Sequence, residues 1–199
     1  IYNNIGGVHF ARKKFDDALK FYYKAVAIWK KSQNKRGTAL LLHNVSLIHI
    51  QKKEYDKALA SANMALKIRP ELKERRFIVN STALVGVVYS RMKQYENALE
   101  FFDRALKLAK KINEQEFVVR TTIFICEAKR GQGQYGEAVR ILKQIEEYCE
   151  KKNLADEKMR VYRELYETYA AMKDYKNALA YHVKYKNLED SLINERKNK

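Results

Sequence analysis

Proline, glycine and cysteine are all scarce in this chain of 199 residues, numbering one, seven and two. Helix breakers this rare, beside 32% charged residues, describe a helical and well solvated protein. Two cysteines make no disulfide framework. Cys126 and Cys149 fall on the two helices of one repeat, at unequal distances from its turn, and are expected to be buried packing residues. So low a cysteine count fits the cytoplasm and leaves an oxidising compartment, such as that of a periplasmic sensor, open. No apolar run approaches the roughly 20 residues that cross a bilayer. The 199 residues contain no signal peptide and open on Ile1, partway into a repeat, so the expected upstream part could carry any address.

What is present is a period. Phe15, Tyr55, Tyr95, Tyr135 and Tyr175 lie 40 positions apart, and each is followed three residues later by alanine, at 18, 58, 98, 138 and 178. Self-similarity at this interval is the signature of a solenoid, in which each unit buries its apolar face only against its neighbours. Within each period apolar residues recur at helical spacing in two blocks, for example Ile78, Thr82, Val85, Val88, Tyr89 and Met92, then Leu99, Phe102, Ala105, Leu106 and Ala109. The spacing predicts first helices near 1–12, 36–52, 74–92, 115–131 and 155–172, and second helices near 15–32, 55–68, 95–112, 135–152 and 175–197. Turns this short join antiparallel neighbours.

The alanine admits close approach of two helices, because a larger side chain there would overpack the contact by about 1–3 kcal/mol. Gly6, Ser46, Gly86 and Cys126 hold the facing place on the first helix. Tyr166 breaks that rule, which predicts a splayed or rotated fifth pair. These residues resemble the tetratricopeptide repeat (TPR) family in its long-helix, 40-residue form: Asn4-Ile5-Gly6, Phe15-Asp16-Asp17-Ala18 and Ala25 follow its motif, and Pro70 stands where its closing proline belongs. The resemblance implies a right-handed all-α solenoid of five helix-turn-helix repeats, approximately 1–34, 35–74, 75–114, 115–154 and 155–199, forming one domain with an extended last helix. It also implies that the first repeat lacks its opening residues. The stretch Leu188-Glu189-Asp190-Ser191-Leu192 resembles the end of TPR regions in bacterial sensor kinases and transcriptional regulators.

A net charge of +16 raises nucleic acid as a partner. The cations, however, cluster where helices end: Arg12-Lys13-Lys14, Lys52-Lys53, Arg91 with Lys93, and Lys129-Arg130, with a second set half a period later. The helix dipole favours cations there, so nucleic acid is disfavoured. Gly131-Gln132-Gly133-Gln134-Tyr135-Gly136 matches GxGxxG in letters alone, since a dinucleotide site needs a preceding strand and this segment is an inter-helix turn. His9, His43, His49 and His182 have no metal-ligand spacing with cysteines or acids. No nucleophile with a partnered base can be assembled, so the expected protein is not an enzyme and takes no cofactor.

First helices line the concave face in the TPR family, with equivalent positions stacked 40 residues apart. Asn4 and Asn44 present amides that suit capture of an extended backbone, joined by His43 and Asn80. Leu84, Val87, Ile123 and Phe124 would receive apolar side chains. Arg120, Arg160 and Arg163 would meet acidic groups through forked hydrogen bonds. Their spacing from Glu116, Glu164 and Glu167 equally suits intrahelical ion pairs, and both readings stay open. The expected partner is therefore a protein or peptide, an acidic one where the arginines are reached. The expected role is a binding scaffold, sensory or regulatory, in a larger bacterial signalling protein. The alternative is a self-associating module pairing through a seam of Tyr181, Tyr185, Leu188 and Leu192, spaced 4, 3 and 4.

Overall fold

The structure is a computed structural model, described here for residues 1–68 and 75–197. Among these lie ten helices: α1 (Tyr2–Ala11), α2 (Phe15–Lys31), α3 (Lys35–Gln51), α4 (Tyr55–Ile68), α5 (Arg75–Arg91), α6 (Tyr95–Lys111), α7 (Gln115–Gly131), α8 (Tyr135–Lys151), α9 (Ala155–Ala171) and α10 (Tyr175–Lys197). The helix bounds agree with those read from the apolar period to within a residue or so. Odd-numbered helices are the first of each pair and even-numbered helices the second. Pro70 and Arg69 lie outside the described residues, as do Asn198 and Lys199.

The chain forms two compact units, residues 1–108 and 109–199. In unit 1, α1 through α5 pack each on the next, and α3 also touches α5. In unit 2, α7 through α10 do the same, and α7 touches α9.

The alanines do what their size predicts. Ala18, Ala58, Ala98 and Ala138 are fully buried and Ala178 nearly so. Ser46 Oγ donates to the Ala58 carbonyl at 2.9 Å, so α3 and α4 meet backbone to backbone. A Cβ built on Gly86 would lie 2.6 Å from the Phe102 ring and 3.1 Å from the Ala98 carbonyl oxygen. Cys126 takes the same place in unit 2 and is buried there. Tyr166 is half-buried beside His182, with ring centroids 4.9 Å apart. Both cysteines are free and buried, as expected, and burial pushes the Cys126 thiol up to about 12 and the Cys149 thiol to about 11.

Every turn whose residues are described closes in the same way. The amide of the third residue past the helix reaches back five residues, as in Lys14 to His9 (2.9 Å), Glu54 to His49 (2.9 Å), Gln94 to Tyr89 (2.9 Å) and Gln134 to Lys129 (2.9 Å). This Schellman closure puts the residue before it in the left-handed region. After odd helices that residue is Lys13, Lys53, Lys93, Gly133 and Lys173, and after even ones it includes Gln33, Asn113 and Asn153. Any side chain other than glycine there costs about 1 kcal/mol, which the helix dipole partly offsets for a cation. The GxGxxG letters are thus the turn after α7, with Gly133 at φ +80°.

Unit 1 has one apolar cluster around α2 and α3 (Leu19, Tyr22, Val26, Leu41, Val45, Ile48) and another around α4 and α5 (Ala58, Ala62, Leu84, Val85, Val88). The core of unit 2 joins Val119, Ile123, Leu142, Val161, Leu165 and Tyr181. Tyr185 and Leu188 pack against that same core. Three of the four residues of the seam read from the sequence are therefore engaged inside their own unit.

Candidate functional site

In unit 1 the residues expected on the inner face lie on α1, α3 and α5. Asn4 is exposed on α1, where its Oδ1 accepts from Asn3 Nδ2 at 3.4 Å. Asn44 is half-buried on α3, beside the Tyr22 hydroxyl of α2; burial raises the Tyr22 phenol and Asn44 opposes that shift. The two amides are thus in different settings: one faces water and the other lies against α2. Leu40 is 39% exposed, and His43, Asn80 and Val87 are half-buried. Leu84 is 4% exposed and belongs to the α4–α5 core. The Arg36 guanidinium lies 5.5 Å from the Phe77 ring and so links α3 to α5.

In unit 2 the residues expected on the inner face lie on α7 and α9, which touch. Arg120 lies over the Phe117 ring at 4.5 Å and 3.6 Å from Glu116. Burial holds the Arg120 guanidinium below its usual range, Glu116 opposes that shift, and the charge of Arg160 adds to it. Arg160 is exposed and makes no ion pair among the described residues. Arg163 is half-exposed, 4.0 Å from Glu167 and 3.8 Å from Glu164. Of the three intrahelical pairs suggested by spacing, those of Arg120 and Arg163 form, whereas Glu164 goes elsewhere. Ile123 is 5% exposed in the core of the unit, and Phe124 is half-buried.

Glu164 is nearly inaccessible and accepts from Arg130 Nη1 at 3.0 Å, while Arg130 Nη2 reaches Glu167 at 2.9 Å. The end of α7 is thereby fastened to the middle of α9. Burial raises the Glu164 carboxyl to about 7, with Glu127 and Glu167 adding to the shift and Arg130 and Arg163 opposing it. A second buried carboxylate, Glu146, accepts from the Tyr181 hydroxyl at 3.0 Å and lies 3.5 Å from Lys184 and 3.6 Å from Lys143. Both lysines also sit over the Tyr181 ring, at 4.5 and 4.7 Å. Among the described residues of unit 1 a comparable chain runs from the Tyr23 hydroxyl to His49 Nε2 at 3.1 Å and from His49 Nδ1 to Glu54 at 2.7 Å.

Spacing along one helix carries no sign of the Arg130 link, which joins residues 34 apart on two helices. Glu146 was visible by another route, since it stands where the earlier copies have Val26, Leu66 and Leu106. The whole chain gives unit 1 21 Lys and Arg against nine Asp and Glu, and unit 2 19 against 15, so unit 1 carries +12 of the +16. No helix among the described residues is long and apolar enough to cross a membrane.

No curated protein matches the chain. Solved structures do. The apo form of RapI is 23% identical, with 99% of this chain and 72% of that one covered and a TM-score of 0.79. A putative kinesin light chain from Podosopora anserina with nearly identical TPR-like repeats is 14% identical, with 96% and 94% covered and a TM-score of 0.75. A Rap protein complexed with competence and sporulation factor is 20% identical, with 94% and 52% covered and a TM-score of 0.80. At these identities the likeness is one of fold, the all-α helical-repeat class expected from the period. The family model described as tetratricopeptide repeat matches residues 1–71 and 78–151. With the 40-residue period, the buried alanines and the paired helices, that match shows that the chain belongs to the tetratricopeptide repeat family.

Proposed function

We propose that this chain is a non-enzymatic scaffold that binds a protein or peptide on the inner faces of its odd helices, as the sensory or regulatory part of a larger bacterial signalling protein. One observation carries the reading. Arg120 and Arg160 sit close enough on α7 and α9 for the charge of one to disfavour that of the other, and Arg160 makes no ion pair among the described residues. A carboxylate between them would relieve the repulsion and accept from two guanidinium forks. Arg163 would flank it, Phe124 would give an apolar edge, and in unit 1 Asn4, His43, Asn80 and Val87 would supply polar and apolar contacts. Asn44, Leu84 and Ile123 shape these faces from beneath. The Rap protein complexed with competence and sporulation factor, alike in fold, supports the partner-binding part of the reading. The alternative, self-association through the C-terminal seam, draws less support, since Tyr181, Tyr185 and Leu188 pack against the core of their own unit.

The test is fluorescence anisotropy with a labelled peptide ending in Asp and Glu residues. Arg120→Glu with Arg160→Glu is expected to weaken binding at least tenfold while the circular dichroism spectrum and Tm stay unchanged. Unaltered affinity in that variant refutes the assignment to this face.

A further inference from the structure

The turns after α1, α3 and α5 place lysine at the left-handed position three times in succession: Lys13 (φ 57°), Lys53 (φ 60°) and Lys93 (φ 61°). The turn after α7 has Gly133 there, the residue such backbone prefers. These lysines are all exposed. They flank two clefts that open between successive turns along one edge of unit 1. The first, of about 440 Å³, lies between Lys13, Lys14 and Phe15 on one bank and Lys52 on the other. The second, of about 680 Å³, lies between Lys53 and Tyr55 on one bank and Arg91, Met92 and Lys93 on the other.

The carboxylates nearest these clefts are in part already engaged. Asp16 holds Lys52, and Glu54 is shared among His49, Lys52 and Lys57. Lys13, Lys14, Lys53, Arg91 and Lys93 have no carboxylate partner among the described residues. Dipole chemistry at a helix end explains a cation near each turn. It does not explain why, in the second cleft, Lys53 on one bank and Arg91 and Lys93 on the other all remain unpaired.

We propose that this edge of unit 1 is a second binding surface, and that it takes an extended acidic peptide with carboxylates at i, i+3 and i+6. The spacing argues for this partner. Helices α3 and α5 touch, packed helices lie about 8–10 Å apart, and one three-residue turn of an extended polyproline II chain rises about 9 Å and returns its side chains to the same face, so acids three apart meet successive turns. Half-buried Phe15 and Tyr55 offer apolar contact to the residues between. The edge also has exposed Asp17, Asp56 and Glu96 among its cations. A nucleic-acid strand, with a phosphate at every nucleotide, would bring charge against them, whereas a peptide with two uncharged residues between acids does not.

The surface is separate from the inner face of unit 2, and the test keeps them apart. Two labelled seven-residue peptides of equal composition, one with Asp at positions 1, 4 and 7 and one with Asp at 1, 2 and 3, are titrated by anisotropy at about 50 and 300 mM salt. Asparagine tolerates the left-handed region, so Lys13→Asn, Lys53→Asn and Lys93→Asn together remove charge while keeping the turns. The spaced peptide is expected to bind the native chain at least fivefold more tightly than the clustered one. Its affinity should fall at least tenfold in the triple variant and with salt, and hold within twofold in the Arg120→Glu, Arg160→Glu variant. Equal binding of the two peptides, native affinity in the triple variant, or loss confined to the arginine variant would each overturn the proposal. So would tighter binding of a labelled thymidine oligonucleotide, which would mark the edge as a nucleic-acid surface.

Discussion

The turn after α5 carries Arg91 and Lys93, and the turn after α7 carries Gly131 and Gly133 in the same two places. The contrast continues inward. Where unit 1 buries Val26 and half-buries Leu66, unit 2 buries Glu146 against Tyr181, Lys143 and Lys184. At the place of Asn4, Asn44 and Leu84, unit 2 has Glu164, locked to Arg130. One helical plan thus serves two electrostatic regimes. Unit 1 buries no carboxylate among its described residues and leaves most of its turn cations in water, while unit 2 buries two and uses many of its charges to tie its own helices together. The shared positions are those where backbones touch, and the divergent ones are those where packing tolerates several side chains.

The comparison breaks most visibly at the close contact both units need. Gly86→Cys copies Cys126 into unit 1, where the buried Phe102 ring and the Ala98 carbonyl occupy the space. It is expected to cost about 3 kcal/mol through overpacking, read as a lower midpoint in urea. A midpoint like that of the native chain would show that unit 1 can open this contact as unit 2 does.

A smaller effect sharpens the unit 2 side. The Glu164 carboxyl sits at about 7 in the folded chain against an ordinary value of 4.5, because burial disfavours its charge. A carboxyl raised on folding contributes stability that is full below about pH 4.5 and is lost as pH rises through about 7. Glu164→Gln removes that dependence. The difference in unfolding free energy between native chain and variant should therefore shift by about 2 kcal/mol between pH 5 and 8.5, with the native chain losing ground as pH rises. Parallel pH profiles would contradict the buried state of Glu164.

The 40-residue period announced all ten helices, their bounds, the buried alanines and the small residues opposite, because each rests on a spacing that backbone geometry enforces. The inner faces were less legible. A helical period gives a stripe but not the angle at which it turns from neighbour to groove, so Leu84 and Ile123 entered the core and Asn44 turned to Tyr22. The seam in α10 was a true apolar stripe, but spacing cannot say which surface receives it, and the core of its own unit did. The Arg130–Glu164 link joins two helices by tertiary geometry alone. Glu146, by contrast, was open to discovery by setting the five copies in register, where it and Lys186 break the apolar column of Val26, Leu66 and Leu106.

The central claim is that the arginines at the unit 1 turns stand in water while Arg130 in unit 2 is held. Side-chain NMR of ¹⁵N-labelled arginine measures this directly through the exchange of guanidinium protons with water at low and high salt. Arg130 should exchange slowly at both, whereas Arg12 and Arg91 exchange as fast as free arginine. Rapid exchange at Arg130, or protection at Arg12 and Arg91, would contradict the account.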